Sequence, residues 1–532
     1  MTPLRFAIYL PDGPLPAWIG RLLSLCAEAD ELRLVGVLRS RQALPGPDFA
    51  ERIDGLLFDR GASAFRQLPL QGAEGLPVWH QADPSAPQAQ SWLADLHCDV
   101  LLDLRPGADG LCGGPSHQWT LELDGLPAIH PQAGARPVLQ GCDTTTIRLR
   151  ALGSGETLDA SLGAACRFSI RRNRQRAIAK GMGMIHRALL RLARGGNPAT
   201  ARAALPCATQ TGTTTAAGAS RRLGAMLRHT ARRAFRKAVS RDQWGIALAF
   251  GDDVCLDPSQ ARLIVPPSDR FWADPMVWPA ADQGWWVFIE EVIYAEGRGT
   301  LKAIRVHPDG RWEQPVPVMA RPWHLSYPFL FWWEGALWMV PESGANRTVE
   351  LYRCTGMPDR WEKAVDLLTG IDLVDATVFA HGGRWWLLGN VSEPGADKHD
   401  ELHAFHAPSP LGPWEPHAAN PVVSDARVAR PAGPLFRQGG RLLRPAQVCV
   451  PEYGHALVLR RIERLTPTEY VESTERRIDP GWLPGIACIH TLSHEAGLTA
   501  FDFLIRRSRL SPPAAALRRA ALHEASHRHQ DK

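Results

Sequence analysis

The sequence predicts a multidomain α/β plus all-β protein: an N-terminal Rossmann-like α/β domain, a basic helical linker and a C-terminal five-bladed β-propeller. Three observations support this prediction. Strand and helix patterns alternate in residues 1–155, residues 156–243 are rich in Ala and Arg, and a unit of about 50 residues recurs in residues 244–508. Of the 19 Trp residues, 15 lie between Trp244 and Trp482. A chain of 532 residues has room for about three domains.

The composition is that of a globular protein. Apolar residues make up 45% and charged residues 22%, which excludes a disordered chain. No run of about 18 apolar residues occurs, so we expect no membrane span. The apolar stretch after Met1 is too short for a secretory leader, and the ten Cys residues form no Cys-x-x-Cys pair. We therefore expect a cytoplasmic protein with reduced thiols and no zinc framework.

The N-terminal domain shows the alternation of a doubly wound sheet. Arg5–Leu10 predicts a strand, Leu15–Ala27 a helix and Glu31–Leu38 a second strand. Asp99–Leu104 is a nearly continuous apolar run, which is typical of a buried parallel strand. Thr144–Leu149 is expected to add an edge strand.

The linker is strongly basic. Residues 160–241 contain 18 Lys and Arg and no Asp or Glu. Arg174–Arg194 and Ser220–Ser240 predict helices, and Thr200–Gly218 between them predicts a loop. Aromatic residues are scarce in this segment, so we expect no nucleic-acid partner. Two interpretations stay open: a solvated linker that docks on acidic parts of the same chain, or a surface for anionic lipid headgroups.

The propeller is predicted from an internal repeat. Each unit has a polar position, called the slot here, followed by an apolar strand, a Gly turn and a second apolar strand. The slots are residues 274, 327, 375 and 432, spaced by 53, 48 and 57 residues, and a fifth half-unit reaches His490. This is the length of a four-stranded blade. Ile246–Phe250 is expected to complete the last blade and close the ring; the alternative is an irregular β-sandwich. Residues 509–532 are expected to form a flexible tail.

Several of these motifs resemble a known family. They are Phe271-Trp-Ala-Asp-Pro, His324-Leu-Ser-Tyr-Pro-Phe, Leu373-Val-Asp-Ala-Thr-Val-Phe, Arg430-Pro-Ala-Gly and Arg444-Pro-Ala-Gln. Together they resemble the propeller domain at the N-terminus of glucosamine inositolphosphorylceramide transferases, which is similar to the arabinanase and β-xylosidase clan. The resemblance covers about half the chain and implies a five-bladed propeller that handles carbohydrate.

The N-terminal domain carries a second resemblance. Leu15-Pro-Ala-Trp-Ile-Gly-Arg-Leu-Leu and Asp99–Leu104 resemble the formyltransferase-like domain that precedes this propeller in bacterial relatives. Ala128–Gly134, around His130, lacks the His-x-Ser-Leu-Leu-Pro loop that formyltransferases use. The domain also lacks a Gly-x-Gly-x-x-Gly motif and a Walker loop. We therefore expect it to be catalytically degenerate, and we expect no cofactor.

The candidate catalytic residues follow from the slots. Strands of all blades converge at the narrow end of the axial funnel, so Asp274 and Asp375 should lie close together. Cleavage of a glycosidic bond needs an acid and a base with separated pKa values. The resemblance implies that Asp274 is the base and Asp375 the modulator. The acid should open the fourth blade, but Arg430-Pro-Ala-Gly has no carboxylate, so Glu342 is the substitute candidate.

Five further residues are candidates for binding substrate. Tyr327 occupies the second slot, and His324 and His490 are placed to hydrogen-bond sugar hydroxyls. Arg430 and Arg444 add positive charge, which suits an anionic sugar, a sugar phosphate or a nucleotide sugar. The alternative is a structural network in which these Arg residues pair with the two slot Asp residues.

Three classes of function remain open. The first is an enzyme that makes or breaks a glycosidic bond during surface polysaccharide or glycolipid biosynthesis. The second is a non-catalytic glycan-binding or scaffolding module. The third is a sugar formyl- or acyltransferase that uses the N-terminal domain. If the lipid interpretation of residues 160–241 holds, the cytoplasmic protein is also membrane-peripheral.

Overall fold

The computed structural model describes residues 2–44, 46–58, 64–68, 75–82, 87–111, 114–205, 218–392, 395–482 and 484–509. The chain divides into two compact units. The first contains residues 1–230 and 392–397, and the second contains residues 231–391 and 398–532. The expected tail, except Arg509, and most of the expected loop Thr200–Gly218 lie outside the described residues.

The first unit is an α/β domain. Its strands are β1 (Leu4–Asp12), β2 (Leu15–Pro16), β3 (Leu32–Ala43), β4 (Gln67–Leu68), β5 (Val78–Ala82), β6 (Val100–Asp103), β7 (His117–Leu123), β8 (Leu126–Pro127), β9 (Thr144–Ala151) and β10 (Thr157–Ala164). Its helices are α1 (Ala17–Ala27), α2 (Phe49–Phe58), α3 (Pro87–Asp95), α4 (Arg136–Gln140) and α5 (Ile170–Ala193), and α6 (Ala219–Val239) begins in this unit.

The main sheet confirms the predicted α/β class. Its strand order is β10-β9-β7-β6-β1-β3-β5, with β8 paired to β7. The β1, β3, β5, β6 and β7 strands pair in parallel, and β9 and β10 add antiparallel strands. Ile8, Val37 and Leu102 from these strands are buried against Trp18 of α1. Phe6–Leu10 of β1 and Val100–Leu102 of β6 are continuous apolar runs, as is typical of parallel strands covered on both faces.

The segment 156–243, expected to be a linker, is not a separate body. Its first part forms β10, which pairs with β9, so Thr144–Leu149 lies inside the sheet and not at its edge. Helix α5 is capped by Ser169, whose side chain accepts a hydrogen bond from the Arg172 amide, and its apolar side enters the domain core. Buried Arg202 pairs with Asp159 at 2.9 Å. Part of the basic charge is therefore used within the unit. Among the described residues, no helix combines the length and apolar character needed to cross a bilayer.

The second unit contains the remaining strands. They are β11 (Ser240–Phe250), β12 (Arg262–Ile264), β13 (Arg270–Pro279), β14 (Trp285–Ile293), β15 (Gly299–Val306), β16 (Val316–Met319), β17 (Ser326–Trp333), β18 (Ala336–Glu342), β19 (Thr348–Gly356), β20 (Arg360–Thr369), β21 (Leu373–His381), β22 (Arg384–Val391), β23 (Leu402–Ala407), β24 (Glu415–Pro416), β25 (Phe436–Gln438), β26 (Arg441–Val448), β27 (Ala456–Leu465), β28 (Tyr470–Ile478), β29 (Ile486–Cys488), β30 (Leu492–Glu495) and β31 (Leu498–Ser508).

These strands form the predicted five-bladed propeller, not a sandwich. Blades one to four are the consecutive sheets β13–β16, β17–β20, β21–β24 and β25–β28. The fifth blade combines both ends of the unit: β11 pairs with β12 and β31, and β31 also pairs with β29 and β30. Ile246–Phe250 lies in β11, so the predicted closing strand is confirmed. Pairing along all of β11 joins the ring and leaves it without an open end.

Aromatic residues fill the spaces between blades. Trp386 of the third blade is 1% exposed and packs against Ile462 and Leu465 of the fourth. Phe288 of the first blade lies in one core cluster with Leu337 of the second. The concentration of Trp in this part of the sequence therefore reflects the blade interfaces.

Candidate functional site

The slots are built by a local irregularity that repeats in the first three blades. Asp274, Tyr327 and Asp375 have φ values of 53°, 43° and 54°, in the left-handed region. At each slot the pairing of the innermost strand with the next strand shifts register. A bulge of this kind places two residues opposite one and turns a side chain away from the sheet.

Tyr327 shows that the slot side chains meet at the propeller axis. Its hydroxyl lies 2.8 Å from the hydroxyl of Thr377 and accepts a hydrogen bond of 2.8 Å from the amide of Gly433. Its own amide donates to Oδ2 of Asp274 at 3.2 Å. One residue of the second blade thus contacts the first, third and fourth blades. Tyr327 is 0% exposed, and its described contacts connect the blades at the axis; its predicted role in binding substrate stays a prediction.

The first charged group contains Asp274 and His490. Nε2 of His490 lies 3.3 Å from Oδ1 of Asp274, and its Nδ1 lies 2.6 Å from Oδ2 of Asp502. The hydroxyl of Thr491 also donates to Oδ1 of Asp274 at 2.9 Å. Burial alone would lower the pKa of His490, but the charges of Asp502 and Asp274 raise it to about 10. His490 is therefore a cation that neutralises part of two buried carboxylates.

The second charged group contains Asp375 and Arg430. Nε of Arg430 donates to Oδ2 of Asp375 at 2.5 Å, and the side-chain amide of Gln447 donates through Nε2 to the same oxygen at 3.1 Å. Nη1 of Arg430 lies 2.8 Å from Nδ1 of His399. The predicted proximity of Arg430 to a slot carboxylate is therefore found, in the form of a buried ion pair.

Glu342 lies beside this pair. Its Oε2 accepts a hydrogen bond of 3.3 Å from the amide of Asp375 and lies 3.9 Å from Nη2 of Arg430. Burial and the charge of Asp375 raise the pKa of Glu342 well above its usual range. Burial alone would raise the pKa of Asp274 as well, but hydrogen bonding to His490 outweighs it and lowers that pKa. The site thus combines one carboxyl group with a raised pKa and one with a lowered pKa, and such a separation of pKa values is what acid–base chemistry requires.

His324 lies in a second pair near the first slot. Its Nε2 is 3.0 Å from Oε1 of Glu290, and its Nδ1 accepts a hydrogen bond of 2.9 Å from the amide of Gly299. The hydrogen bond that Nε2 of His324 donates to Glu290 raises the pKa of His324. The His324 side chain is 43% exposed, so it is accessible to a ligand, in contrast to His490 at 3%.

Arg444 is the one predicted residue that the structure places elsewhere. It is buried within the fourth blade, where Nη2 donates to Oε1 of Glu472 at 2.8 Å and to the carbonyl of Val428 at 2.8 Å. Arg444 lies in β26, whose pairing with β27 and contact with Glu472 of β28 direct it into its own blade. It is a structural cation and does not pair with Asp274 or Asp375 in the described contacts.

The sequence interpretation missed four residues of the cluster: Glu290, Asp502, His399 and Tyr453. Glu290 and Asp502 are acidic residues within mostly apolar stretches: Glu290 stands beside Glu291 in β14, and Asp502 has apolar neighbours on both sides in β31. Such a charge is buried only with a partner, so this pattern was a usable signal. Cross-strand pairing of Ala273 with Glu290 repeats the pairing of Ser326 with Glu342. His399 and Tyr453 lie in loops, and the sequence contains no comparable signal for them.

Two groups of side chains have the composition of metal ligands among the described residues: Asp274 with His490 and Asp502, and Glu452 with His455 and Cys488. In the first group the pKa of His490 is raised to about 10, so a metal ion would have to displace a proton from the imidazole. In the second, burial raises the pKa of Cys488 to about 12, which disfavours the thiolate that binds metals. Glu452 is moreover already paired with Arg506. Neither group favours a metal.

Two of the cavities outside the charged cluster bear on the predicted sites. One, of about 360 Å³, continues along the inner strands beyond the slots and is lined by Met276, Leu330, Pro434 and Ser493, among others. The other, of about 310 Å³, lies in the first unit beside Trp18 and Arg174. His130 does not line that cavity; its Nδ1 accepts a hydrogen bond of 3.1 Å from the Gln132 amide. The formyltransferase-like character of this unit, and its degeneracy, stay predictions.

The fold and the charged axis place the second unit among five-bladed propellers with carboxylates at their centre. Residues 254–478 match the family model described as "Glucosamine inositolphosphorylceramide transferase 1, N-terminal". The resemblance predicted for the propeller is thereby confirmed.

Two curated relatives give the extent of this similarity. Glucosamine inositolphosphorylceramide transferase 1 of Oryza sativa subsp. japonica is 36% identical over 224 residues, which are 41% of this chain and 29% of that protein. Its counterpart of the same name from Arabidopsis thaliana is 34% identical over 207 residues, which are 38% and 27%. The chain thus spans less than a third of the length of these relatives.

Solved structures show more distant similarity. A family 117 glycoside hydrolase from Zobellia galactanivorans has a TM-score of 0.34 and 11% identity, and the match covers 50% of this chain and 90% of that one. An exo-β-1,3-galactanase from Phanerochaete chrysosporium has a TM-score of 0.32 and 11% identity, covering 41% and 55%. Both similarities are too distant to bear on activity.

Proposed function

We propose that the propeller binds a carbohydrate over the charged cluster at its axis, as a glycan-recognition module in the assembly of a surface polysaccharide or glycolipid. The observation that carries the proposal is Glu342, a partly exposed carboxyl group with a raised pKa beside the buried Asp375–Arg430 pair. Its side chain is 16% exposed, against 7% for Asp274 and 3% for Asp375. Glu342 is therefore the carboxyl group that a ligand reaches most easily.

An aromatic ring beside the cluster supports binding of a sugar. Tyr453 is 37% exposed. Its ring centroid lies 5.2 Å from that of His490 and 4.8 Å from the guanidinium carbon of Arg430. An aromatic ring that is partly exposed and held by neighbouring side chains can offer apolar surface to a pyranose.

The charge balance favours sugar hydroxyls over a phosphate group. Arg430 is neutralised by Asp375 and also contacts His399, so its donors are already engaged. His490 is shared between two carboxylates. The expectation of a sugar phosphate or nucleotide sugar as ligand is therefore less well supported than a neutral glycan.

The relatives supply the biological context of this proposal. They are named for transfer to a glycolipid, and the matched segment belongs to the N-terminal part of that family. Because this chain spans less than a third of them, transfer itself is not carried over. A role in glycolipid or polysaccharide assembly, in the cytoplasm, is the part of the earlier expectation that we retain as a proposal.

A second candidate function is chemistry at a glycosidic bond, with Glu342 as acid and Asp274 as base. The opposed pKa shifts of these two groups favour it. The surroundings of Asp274 oppose it, because its oxygens already accept hydrogen bonds from Thr491 and Tyr327 and a base must reach a water molecule. Binding is therefore the better-supported function.

A thermal-shift screen of the full chain tests the proposal. Neutral oligosaccharides, sugar phosphates and nucleotide sugars are compared, because a ligand of the folded state raises the melting temperature. We expect a shift with a neutral oligosaccharide that Tyr453→Ala abolishes. Trp312→Ala removes an aromatic ring of the same 37% exposure in another blade and is the matched control.

Glu342→Gln then separates binding from chemistry. Glutamine resembles the neutral carboxyl group, so it should keep affinity within about threefold, whereas it cannot donate the proton that catalysis needs. Retained binding without turnover in either protein supports a recognition module. Turnover that falls by about 10²-fold or more in Glu342→Gln establishes the catalytic candidate. No shift with any of the three ligand classes contradicts a glycan site and favours a scaffolding role.

A further inference from the structure

The end of α6 is a short amphipathic surface within the second unit. Residues 231–238 are exposed at every position. At about 100° per residue, Ala231, Ala234, Phe235 and Ala238 fall within an arc of roughly 100°, and the remaining four residues are Arg or Lys on the other side. Phe235 is 69% exposed. This is the pattern of a helix that lies in a bilayer interface.

A basic cavity adjoins this helix. It measures about 260 Å³, and its lining is formed by Arg236, Lys237, Ser240, Arg241, Asp242 and Arg509. The cavity is held at the junction of α6, β11 and the end of β31, because the amide of Arg509 donates to the carbonyl of Val239 at 2.8 Å. The lining contains four cations, one hydroxyl group and the carboxylate of Asp242, so it keeps an excess of positive charge that is suited to a phosphate group.

Strand pairing adds an independent observation. Arg241 of β11 lies directly opposite Arg507 of β31. Like charges in directly opposed positions destabilise a sheet. The carboxylates in this region are already used: Glu452 pairs with both Arg236 and Arg506, and Asp242 lies 3.7 Å from Arg506. Positive charge is therefore in excess here, and an external anion would relieve it.

We propose that this basic cavity and the exposed face of residues 231–238 bind an anionic lipid bilayer. The cavity takes the phosphate of a headgroup, and Phe235 enters the boundary between headgroups and acyl chains. This inference is independent of the glycan proposal. It locates the lipid interaction at the α6–β11 junction and adds Arg507 and Arg509, far away in sequence. A nucleic acid fits less well, because Phe235 is the only aromatic residue on this stretch of helix and base stacking needs more.

Vesicle flotation of the full chain tests the proposal. Vesicles of phosphatidylcholine are compared with vesicles that contain roughly 30% phosphatidylserine, at about 0.1 M salt. We expect binding only to the anionic vesicles. Lys237→Glu and Arg241→Glu should each weaken it about tenfold or more, and Phe235→Ser should weaken it even at low salt. Arg384→Glu reverses an exposed cation in the third blade and should leave binding within about twofold.

Several results would overturn the proposal. They are equal binding to neutral vesicles, equal loss in Arg384→Glu and the cavity variants, or unchanged binding in all variants with unaltered melting temperatures. In another outcome the protein fails to bind vesicles, while inorganic phosphate raises the melting temperature of wild type but not of Lys237→Glu. That result would assign the cavity to a soluble anion. Displacement from vesicles by a single-stranded RNA that binds more tightly through the same cations would assign the surface to nucleic acid. Either of these last two outcomes would contradict the proposal that the surface binds a bilayer.

Discussion

The charge on His490 gives the propeller a stability that should depend on pH. The imidazole lies between Asp274 and Asp502, and all three side chains are almost fully buried. The substitution His490→Gln removes the cation and leaves the buried carboxylates of Asp274 and Asp502 without a neutralising positive charge. Breaking a buried ion pair in this way costs about 3–5 kcal/mol. We therefore expect the free energy of unfolding to fall by this amount near pH 7.

The pKa of His490 sets the size and sign of the pH effect. It is raised from 6.5 to about 10 in the folded state. The stabilisation is therefore fully present below about pH 6.5 and is lost as the pH rises towards 10, where the folded protein also releases the proton. Each pH unit corresponds to about 1.4 kcal/mol, so the total is about 5 kcal/mol. The difference between wild type and His490→Gln should shrink accordingly towards pH 10.

Scanning calorimetry of the full chain between pH 6.5 and 10 measures this difference. A change of about 5 kcal/mol corresponds to a melting shift of roughly 10 °C for a unit of this size. His417→Gln is the matched control: it replaces another buried histidine, whose pKa burial lowers, so that it is neutral throughout this range. Its effect should not vary with pH. A constant difference between wild type and His490→Gln from pH 7 to 10 would refute the reasoning.

Two further predictions concern the axis and the fourth blade. Arg430→Met leaves Asp375 as a buried anion and should cost about 3–5 kcal/mol in the free energy of unfolding at pH 7. The loss should diminish at lower pH as Asp375 takes up a proton, and urea unfolding at pH 5 and 7 measures it. Gly433→Ala should largely prevent folding, because an added Cβ would lie 1.9 Å from the Leu492 carbonyl oxygen and the residue has φ of 122°. Gly440→Ala, at φ of 76° with nothing within 4 Å, should cost only about 1 kcal/mol by chemical denaturation. Similar losses in the two glycine variants would contradict the steric argument.

The propeller was predictable because the sequence pattern of one blade recurs along the chain. The slots at Asp274, Tyr327 and Asp375 recur with the blade length, and a strand before the first slot was needed to complete the last blade. Each unit alone is ambiguous, but five in succession fix the architecture. Prediction was weaker for residues 156–243, since β10 alternates less clearly than its neighbours and its place depends on pairing with β9.

The site was only partly predictable, because its members come from three kinds of position. The slots could be read from the repeat, whereas the positions of Asp502 and Glu290 depend on cross-strand pairing with Ile246 and Ala273. Tyr453 reaches the cluster from a loop whose path the sequence does not specify. Arg444 illustrates the opposite error: its motif resembles that of Arg430, but it lies in the second strand of the blade and pairs with Glu472.

The strained backbone explains why carboxylates gather at the axis. A left-handed conformation costs a residue with a side chain about 1–3 kcal/mol, and the bulge releases the slot amide from the strand ladder. Each freed amide finds a carboxylate: Asp274 donates to Asp502, Tyr327 to Asp274, and Asp375 to Glu342. Three carboxylates therefore have a structural role before any ligand arrives.

Asp375 is the exception in this arrangement. Its carboxylate accepts no slot amide and instead binds Arg430 and Gln447. Glu342 uses one oxygen for the amide of Asp375 and keeps enough exposure for a ligand. A purely structural cluster would have no need to keep the Glu342 carboxyl group partly open to solvent, or to hold an exposed Tyr453 beside the Arg430–Asp375 pair. The function of the axis is therefore best sought at Glu342 and Tyr453, where the requirements of folding are already met by other residues.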